Sequence, residues 1–263
     1  MLELFDPLLI PLFMILLLLA AAAPLIVVYL FLRLTTEAFI HVGFSHWHAI
    51  LMVFGSVMGS VVNIPLNPIP VTAYPLIFLE IVDVLSALMT FTFPTTFHPV
   101  TLTVNLGGCI IPMIVSVAIL VRCHVSARRA ALGILIVALV TYHMAVPVAD
   151  EGILLPIYVP PTLAAVCGLT LARRFQTAPA LAYISGTMGT LLGADILRLL
   201  TPGTLPILAP PEENAAPLVL SIGGAGVIDG IFLTGVFAVL MAVLMVHLFH
   251  RSGDTGSCSC IDP

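Results

Sequence analysis

Long apolar segments follow one another along nearly the whole sequence, and they decide what the chain can fold into. Seven of them have the length of about 20 residues that a helix needs to cross a bilayer, and they lie at 9–32, 47–66, 104–122, 129–148, 153–172, 179–200 and 219–248. Only 8% of the residues are charged, against roughly a quarter in soluble domains. The sequence therefore predicts an all-α, multi-pass protein integral to the cytoplasmic membrane, with the lipid bilayer as its first partner.

The arginines decide whether an eighth segment, Tyr74–Phe93, also crosses the membrane. It contains Glu80 and Asp83 and lies between prolines. With seven helices, Arg198 is the only arginine that falls on the opposite side from the others, whereas an eighth helix would divide the arginines between both sides. Because arginine and lysine accumulate in cytoplasmic loops, we expect about seven spans, with Tyr74–Phe93 outside the membrane or dipping into its interface.

This helix count predicts a definite organisation of the chain, with the N-terminus outside and the C-terminus in the cytoplasm. A single transmembrane domain covers 1–252 and includes an external segment at 67–103, and a cytoplasmic tail follows at 253–263. The external segment has no arginine or lysine, and its Thr, Phe and Val content would also allow strands. In the tail, Cys258 and Cys260 are two thiols without a nearby histidine pair, which is a weak metal signal.

Two pairs of glycine-rich segments indicate an internal tandem repeat. Gly55–Leu66 (GSVMGSVVNIPL) matches Gly186–Leu197 (GTMGTLLGADIL), and Val104–Leu120 matches Leu220–Leu240. The second and third predicted helices therefore echo the sixth and seventh, and both copies would run in the same direction. Repeats of this kind are common in transporters.

Polar side chains gather near the outer ends of the predicted helices. The members of this set are Asn63, Asn105, His143, Asp150, Glu151, Asp195 and Asp229. A carboxylate within a span costs about 2.5–3.5 kcal/mol on insertion scales and is a functional candidate by default. The members of this set other than Asp195 are therefore our candidate substrate- or ion-binding site.

Asp195 has a functional and a structural interpretation. Arg198 follows at i+3, so the two could form a surface ion pair of little energetic value. At about 100° per residue, Asp195 also points away from the face that carries Gly186 and Gly189. If that face packs on a neighbouring helix, as small residues do, Asp195 lies outside this helix–helix contact.

Asp229 is the stronger candidate. It lies about ten residues into the seventh predicted helix, and no arginine or lysine occurs within a turn of it. Five glycines between Gly223 and Gly235 indicate that the outer part of this helix is partly unwound. Irregular backbone at membrane depth is tolerated only where it is buried or lines a cavity.

The remaining candidates have ordinary alternatives. Asp150 and Glu151 could be loop residues between two helices, or they could favour the N-terminus of the following helix, where anions are stabilising. His143 on an apolar helix is either a packing residue or a ligand.

Several short motifs in this order resemble a known family. They are NIPL (Asn63–Leu66), VNLGGCIIP (Val104–Pro112), ADEGILLP (Ala149–Pro156), SGTMGTLLGADIL (Ser185–Leu197) and SIGGAGVIDGIFLTG (Ser221–Gly235). Together they resemble a family of bacterial and archaeal polytopic membrane proteins known only as a domain of unknown function. The resemblance covers Gly55–Leu240 and implies a membrane location and glycine-rich helices. It implies no activity, so it assigns no catalytic residue.

A more distant resemblance concerns the two aspartates. Intramembrane aspartyl proteases of the presenilin and signal-peptide-peptidase type carry one aspartate on each of two adjacent helices, one of them in a G-x-G-D motif. Asp195 and Asp229 lie on the sixth and seventh predicted helices, but neither is preceded by G-x-G.

Three functions remain open from these residues. The first is a small transporter, coupled to or carrying a cation or protons, and we favour it because of the repeat and the glycine-broken helices. The second is an aspartyl protease in which Asp195 and Asp229 share a proton. The third is a metal-dependent membrane enzyme with Asp150, Glu151, Asp229 and His143 as ligands. No cofactor and no nucleic-acid partner is predicted; the expected partner is a small solute, an ion or a proton, and a homo-oligomer would be compatible.

Overall fold

Helices make up most of the structure, a computed structural model that describes residues 9–66, 100–149, 152–201, 203–208, 218–224 and 230–249. The helices in these ranges are α1 (Leu9–His41), α2 (His46–Gly59), α3 (Ile111–Arg122), α4 (Ala127–Met144), α5 (Val159–Leu171), α6 (Ala178–Thr190), α7 (Thr204–Leu208) and α8 (Gly230–Phe249). A π-helical segment, π1 (Leu106–Ile110), leads into α3. A second, π2 (Leu191–Leu197), continues α6 and ends in a last α-helical turn at Arg198–Leu200.

Within the described ranges, four helices are long and apolar enough to cross a membrane. They are Phe13–His41, Ala127–Met144, Phe175–Leu200 and Gly230–Leu248. Leu106–Arg122 and Val159–Leu171 are shorter apolar helices. The prediction of a helical membrane protein is supported in this coarser form, since several apolar helices could span a bilayer.

Short strands occur together with the helices. The strands are β1 (Asn63–Pro65), β2 (Val100–Asn105), β3 (Val146–Val148), β4 (Gly152–Leu154) and β5 (Leu218–Ile222). A three-stranded sheet has the order β1-β2-β5, with β1 antiparallel and β5 parallel to β2. The antiparallel pair β3 and β4 forms a separate hairpin.

The prediction of an all-α fold is therefore corrected at the ends of the helices. The third predicted helix begins after β2, and residues 218–222, which the sequence predicts as the start of the seventh helix, form β5 instead; this helix is described from Gly230. Likewise, α2 ends at Gly59, before β1, and α5 begins at Val159, after β4. Short apolar runs such as these do not distinguish a strand from a helix by periodicity alone.

Helix α6 lies at the centre of the packing. Every residue of α6 except Met188 is buried. Small residues allow its neighbours to approach closely: a Cβ at Gly168 of α5 would lie 2.7 Å from that of Ala182, and a Cβ at Gly189 would lie 2.6 Å from that of Val137 in α4. The backbones of α4 and α5 therefore lie close to the backbone of α6. These contacts also fix the position of π2, which continues α6.

In the part of the chain that the structure describes, helix α1 packs on the other helices through its C-terminal part. Phe39 is buried, and its ring centroid lies 5.6 Å from that of Tyr183 and 6.1 Å from that of Phe232. The large apolar side chains from Phe13 to Leu30 are about half exposed or more. This apolar surface suits contact with lipid, in line with its spanning length.

Candidate functional site

A cluster of polar groups lies where the three-stranded sheet meets the helices. We call it the polar junction and define it by Asn63, Asn105, Asp195, Ser221 and Gly223. The sheet supplies its first part, because β1 and β2 place Asn63 opposite Asn105. Strand β5 lies on the other side of β2, with Ile222 opposite Val104, and brings in Ser221 and Gly223.

Asn105 is the buried centre of the polar junction. Its side chain is fully buried, and its Nδ2 donates hydrogen bonds to the carbonyl oxygen of Ser60 (2.7 Å) and to Oδ1 of Asn63 (3.0 Å). Its Oδ1 accepts a hydrogen bond from the backbone N–H of Gly108 (2.8 Å). This last bond satisfies one of the N–H groups that are left without an intrahelical partner at a helix start. Asn105 therefore connects the end of α2 to the beginning of π1.

Asn63 connects two strands that do not touch each other in the sheet. Its Oδ1 accepts a hydrogen bond from Ser221 Oγ (2.8 Å) in addition to the one from Asn105. The side chain is exposed. The polar junction therefore has a buried side at Asn105 and an accessible side at Asn63.

Asp195 holds the turn that follows β5. Its Oδ2 accepts a hydrogen bond from the backbone N–H of Gly223 (2.7 Å). Gly223 and Gly224 have φ angles of +94° and +80°, a backbone conformation that glycine adopts without the penalty of a Cβ. The carboxylate thus contacts a glycine turn. The expected direction of Asp195, away from the face of Gly186 and Gly189, assumed an α-helix with about 100° per residue, and it does not apply because Asp195 lies in π2.

Close backbone contacts explain two of the glycines in the proposed repeat. A Cβ at Gly107 would collide with the carbonyl oxygen of Ser56 and would lie 2.8 Å from the carbonyl carbon of Gly59. A Cβ at Gly223 would lie 2.7 Å from the Cβ and the backbone nitrogen of Cys109. Since Ser56 Oγ also donates to the carbonyl oxygen of Gly107 (2.7 Å), α2, π1 and the turn after β5 are joined backbone to backbone.

Of the other sequence-predicted residues, His143 lies within the described ranges, and no contact joins it to the polar junction there. His143 is exposed, and its ring centroid lies 5.3 Å from that of Tyr142. Asp150 and Glu151 stand between β3 and β4 in the chain and lie outside the described residues. Asp229 immediately precedes α8 and also lies outside them.

The structure therefore hydrogen-bonds Asn63 to Asn105, places Asp195 on the turn that follows β5, and leaves His143 exposed. Within the ranges that the structure describes, no group of three or more His, Cys, Asp or Glu side chains could hold a metal ion. The pairing of Asp195 with Asp229 in the protease hypothesis stays a prediction, as does the set of ligands in the metal-enzyme hypothesis.

Sequence reasoning missed Ser60 and Ser221 as members of this network, and it missed Thr190. A serine in an apolar segment carries little signal, because its partner is decided by packing. Thr190 precedes π2, and its buried Oγ1 has no hydrogen-bond partner in the described part of the chain. The sequence GTLLGADIL, which contains it, stood out only for its glycines and its aspartate.

Apolar helices of spanning length, packed through small residues and interrupted by strands at a polar junction, fit an integral membrane protein of the helical class. The family described as a protein of unknown function, DUF1614, matches residues 57–241 of the chain. The chain belongs to this family, so the expectation of an uncharacterised family is confirmed at that level. No match was found among curated proteins or among solved structures.

Proposed function

We propose that the protein is a small transporter, coupled to or carrying a cation or protons, with its site at the polar junction and at Asp229. The observation that carries this proposal is the way two of its helices begin. Helix α3 is preceded directly by β2 and π1. Helix α8, which is described from Gly230, follows β5 and the left-handed Gly223 and Gly224 in the chain, with residues 225–229 outside the described ranges. Discontinuous helices of this kind form the substrate and ion sites of many transporters, because their ends leave backbone groups available at membrane depth.

The contacts of Asp195 favour Asp229 as the residue that binds the transported species. One oxygen of Asp195 accepts the hydrogen bond from Gly223, so this carboxylate holds the turn that leads towards α8. Asp229 follows Gly223 by six positions and directly precedes Gly230, the first residue of α8. An aspartate before a helix start is also a preferred N-cap residue. An experiment must therefore distinguish a binding role of Asp229 from a purely structural role as an N-cap.

The pairing of β2 with β5 supports the tandem repeat. The repeat aligns the segment that begins at Val104 with the segment that begins at Leu220. The strands from these two segments lie side by side and parallel, with Val104 opposite Ile222. Two copies that run in the same direction would bring their equivalent strands together in this way.

Removing the charge of Asp229 should abolish transport. In liposomes that contain the purified protein and a trapped pH-sensitive dye, we expect Asp229→Asn to reduce proton uptake, driven by a potassium diffusion potential, to the rate of protein-free liposomes. The physical reason is that an amide cannot take up and release a proton, while as an N-cap residue asparagine is about as good as aspartate. Asp254→Asn in the tail removes the same charge and should leave the rate unchanged.

Two results would contradict this proposal, and a third would decide between its proton and cation forms. Equal rates for Asp229→Asn and the wild type would exclude Asp229 as the binding residue. Uptake of rubidium or manganese without proton movement would identify a cation as the transported species. No movement of protons or of either metal ion by the wild-type protein would count against a transporter.

The proposed seven-span arrangement, with the N-terminus outside, predicts opposite accessibility at the two ends of α4. In a variant without native cysteines, Ala149→Cys should react with a membrane-impermeant maleimide added to intact cells, whereas Ser126→Cys should react only in inverted vesicles. The reason is that Ser126 precedes α4 next to two arginines, which favour the cytoplasmic side. The opposite labelling pattern would reverse the proposed orientation.

A further inference from the structure

Arg198 is a cation at the end of π2, and the described part of the chain offers its charge no counter-ion. It lies in the last α-helical turn, Arg198–Leu200, and its side chain is half-buried. Its Nε is buried and has no hydrogen-bond partner among the described residues. Buried polar groups are normally hydrogen-bonded, and buried charges are normally paired. Arg198 therefore requires a partner that this part of the chain does not supply.

The ion pair of Arg198 with Asp195, which the sequence allows, is not formed. Oδ2 of Asp195 accepts the hydrogen bond from Gly223, whereas the guanidinium carbon of Arg198 lies over the ring of Tyr142, 5.6 Å from its centroid. The described residues contain one other carboxylate side chain, that of Glu37 on α1, and no ion pair joins it to Arg198. The counter-ion of Arg198 is therefore not a side chain of the described ranges.

A close approach of π2 to α4 places Arg198 over Tyr142. A Cβ at Gly193 would collide with the carbonyl oxygen of Ala138 and would lie 2.7 Å from its Cα. Tyr142 is about one turn beyond Ala138 on α4, and Arg198 is about one turn beyond Gly193 at the end of π2. The contact that requires a glycine thus brings the guanidinium and the ring to the same end of the two helices.

The ring of Tyr142 is a fixed support for the guanidinium. Its hydroxyl oxygen lies 3.1 Å from Oγ1 of Thr201, and this Oγ1 donates to the carbonyl oxygen of Leu197 (2.8 Å). A cation over an aromatic face is attracted by the ring. The ring does not accept the in-plane N–H groups of the guanidinium, which form a planar fork that matches the oxygens of a phosphate or a carboxylate.

Exposed apolar side chains accompany Arg198 and Tyr142 in the chain. Leu197 and Leu200 on one side and Met144 at the end of α4 are exposed. The candidate span that contains π2 ends at Leu200, so Arg198 lies in its last turn, at the depth where a bilayer changes from hydrocarbon to headgroups. A half-buried cation at this depth, next to apolar side chains, suits a lipid that supplies both an oxyanion and acyl chains.

We propose that Arg198, held over Tyr142, binds the phosphate group of an anionic phospholipid. The guanidinium would bind two phosphate oxygens through parallel hydrogen bonds, and the acyl chains would lie on the exposed leucines. An anionic headgroup is favoured because it brings no ammonium group of its own to compete with Arg198 for the phosphate. This site does not depend on the proposed transport function.

A lipid titration of the full chain in a neutral detergent tests this site, with the bound lipids counted by native mass spectrometry. We expect phosphatidylglycerol to bind the wild type, and Arg198→Gln to raise its dissociation constant about tenfold or more, as for the loss of a charge-assisted hydrogen bond. Arg198→Lys keeps the charge without the planar fork, so its dissociation constant should lie between these two. Arg128→Gln is the matched control, because Arg128 is an exposed arginine at the opposite end of α4 from Tyr142.

Several outcomes would overturn the site. One is an equal dissociation constant for Arg198→Gln and the wild type, and another is an equal loss in Arg128→Gln, because net charge and not Arg198 would then be responsible. Phosphatidylcholine bound as tightly as phosphatidylglycerol would exclude the anionic class, and inorganic phosphate bound as tightly would exclude a lipid as the source of the phosphate. If Arg198→Gln does not fold, Tyr142→Leu removes the supporting ring instead, and unchanged binding in that variant would also overturn the site.

Discussion

Replacing Gly107 with alanine should destabilise the protein by about 3 kcal/mol or more, the upper range for overpacking a core. The added Cβ would collide with the carbonyl oxygen of Ser56 and the backbone nitrogen of Ser60, and it would lie 2.8 Å from the carbonyl carbon of Gly59. All three atoms belong to the backbone at the end of α2, so no side chain can turn away to make room. Helix α2 and π1 would have to move apart, and the hydrogen bond from Ser56 Oγ to Gly107 would be lost.

Thermal unfolding of the detergent-solubilised protein, followed by circular dichroism, would measure this effect. Gly55→Ala is a matched control on α2, because its Cβ would meet only Cδ1 of Ile111 at 3.6 Å, an ordinary contact. Alanine is favoured over glycine within a helix by about 1 kcal/mol, so we expect this variant to be as stable as the wild type or more so. Equal unfolding temperatures for the two variants would contradict the close approach of α2 and π1.

Asn105→Ala should cost about 3 kcal/mol or more, because each buried polar group left without its partner costs roughly 1–3 kcal/mol. The substitution removes the bonds to Ser60 and Asn63 and leaves the N–H of Gly108 without an acceptor. Asn105 is fully buried, so water cannot replace these bonds without opening the contact between α2 and π1. The unfolding temperature of the purified variant gives the measurement.

Asn63→Ala provides the comparison for Asn105. Asn63 also takes part in two of the hydrogen bonds of the polar junction, but its side chain is exposed. Water can therefore replace it as the acceptor for Asn105 Nδ2 and Ser221 Oγ. We expect a loss below about 1 kcal/mol, the range of an ordinary hydrogen bond. In the double variant the two effects should not add, since the side chains share a bond. A small and equal loss for both single variants would show that Asn105 is not the buried centre of the polar junction.

The helical membrane class followed from the sequence because it depends on a local quantity. The length of an apolar run decides whether a helix can satisfy its own backbone groups away from water. Among the described residues, four of the predicted segments are accordingly helices of spanning length. The matched family, described only as a protein of unknown function, covers the same part of the chain as the motifs that indicated it.

The strands at the ends of the helices could not be predicted from the length of an apolar run. Residues 218–222 (LVLSI) are as apolar as the helix that comes after them. They form a strand because β2 lies alongside, with Val100 opposite Leu218, and this partner is more than a hundred residues away in the chain. Apolar content alone therefore placed the start of the seventh helix too early.

The candidate site divides in the same way. The sequence by itself determined which residues are polar in an apolar chain, and Asn63, Asn105 and Asp195 could be named on that ground alone. Only the tertiary structure decided that Asn105 bonds to Ser60 and Asn63, that Asp195 bonds to Gly223, and that the hydroxyl of Thr190 is left without a partner in the described chain. The physical reason is that the cost of burying a polar group depends on the residue itself. Its hydrogen-bond partner instead depends on which distant segments of backbone can approach it, and the glycines decide that.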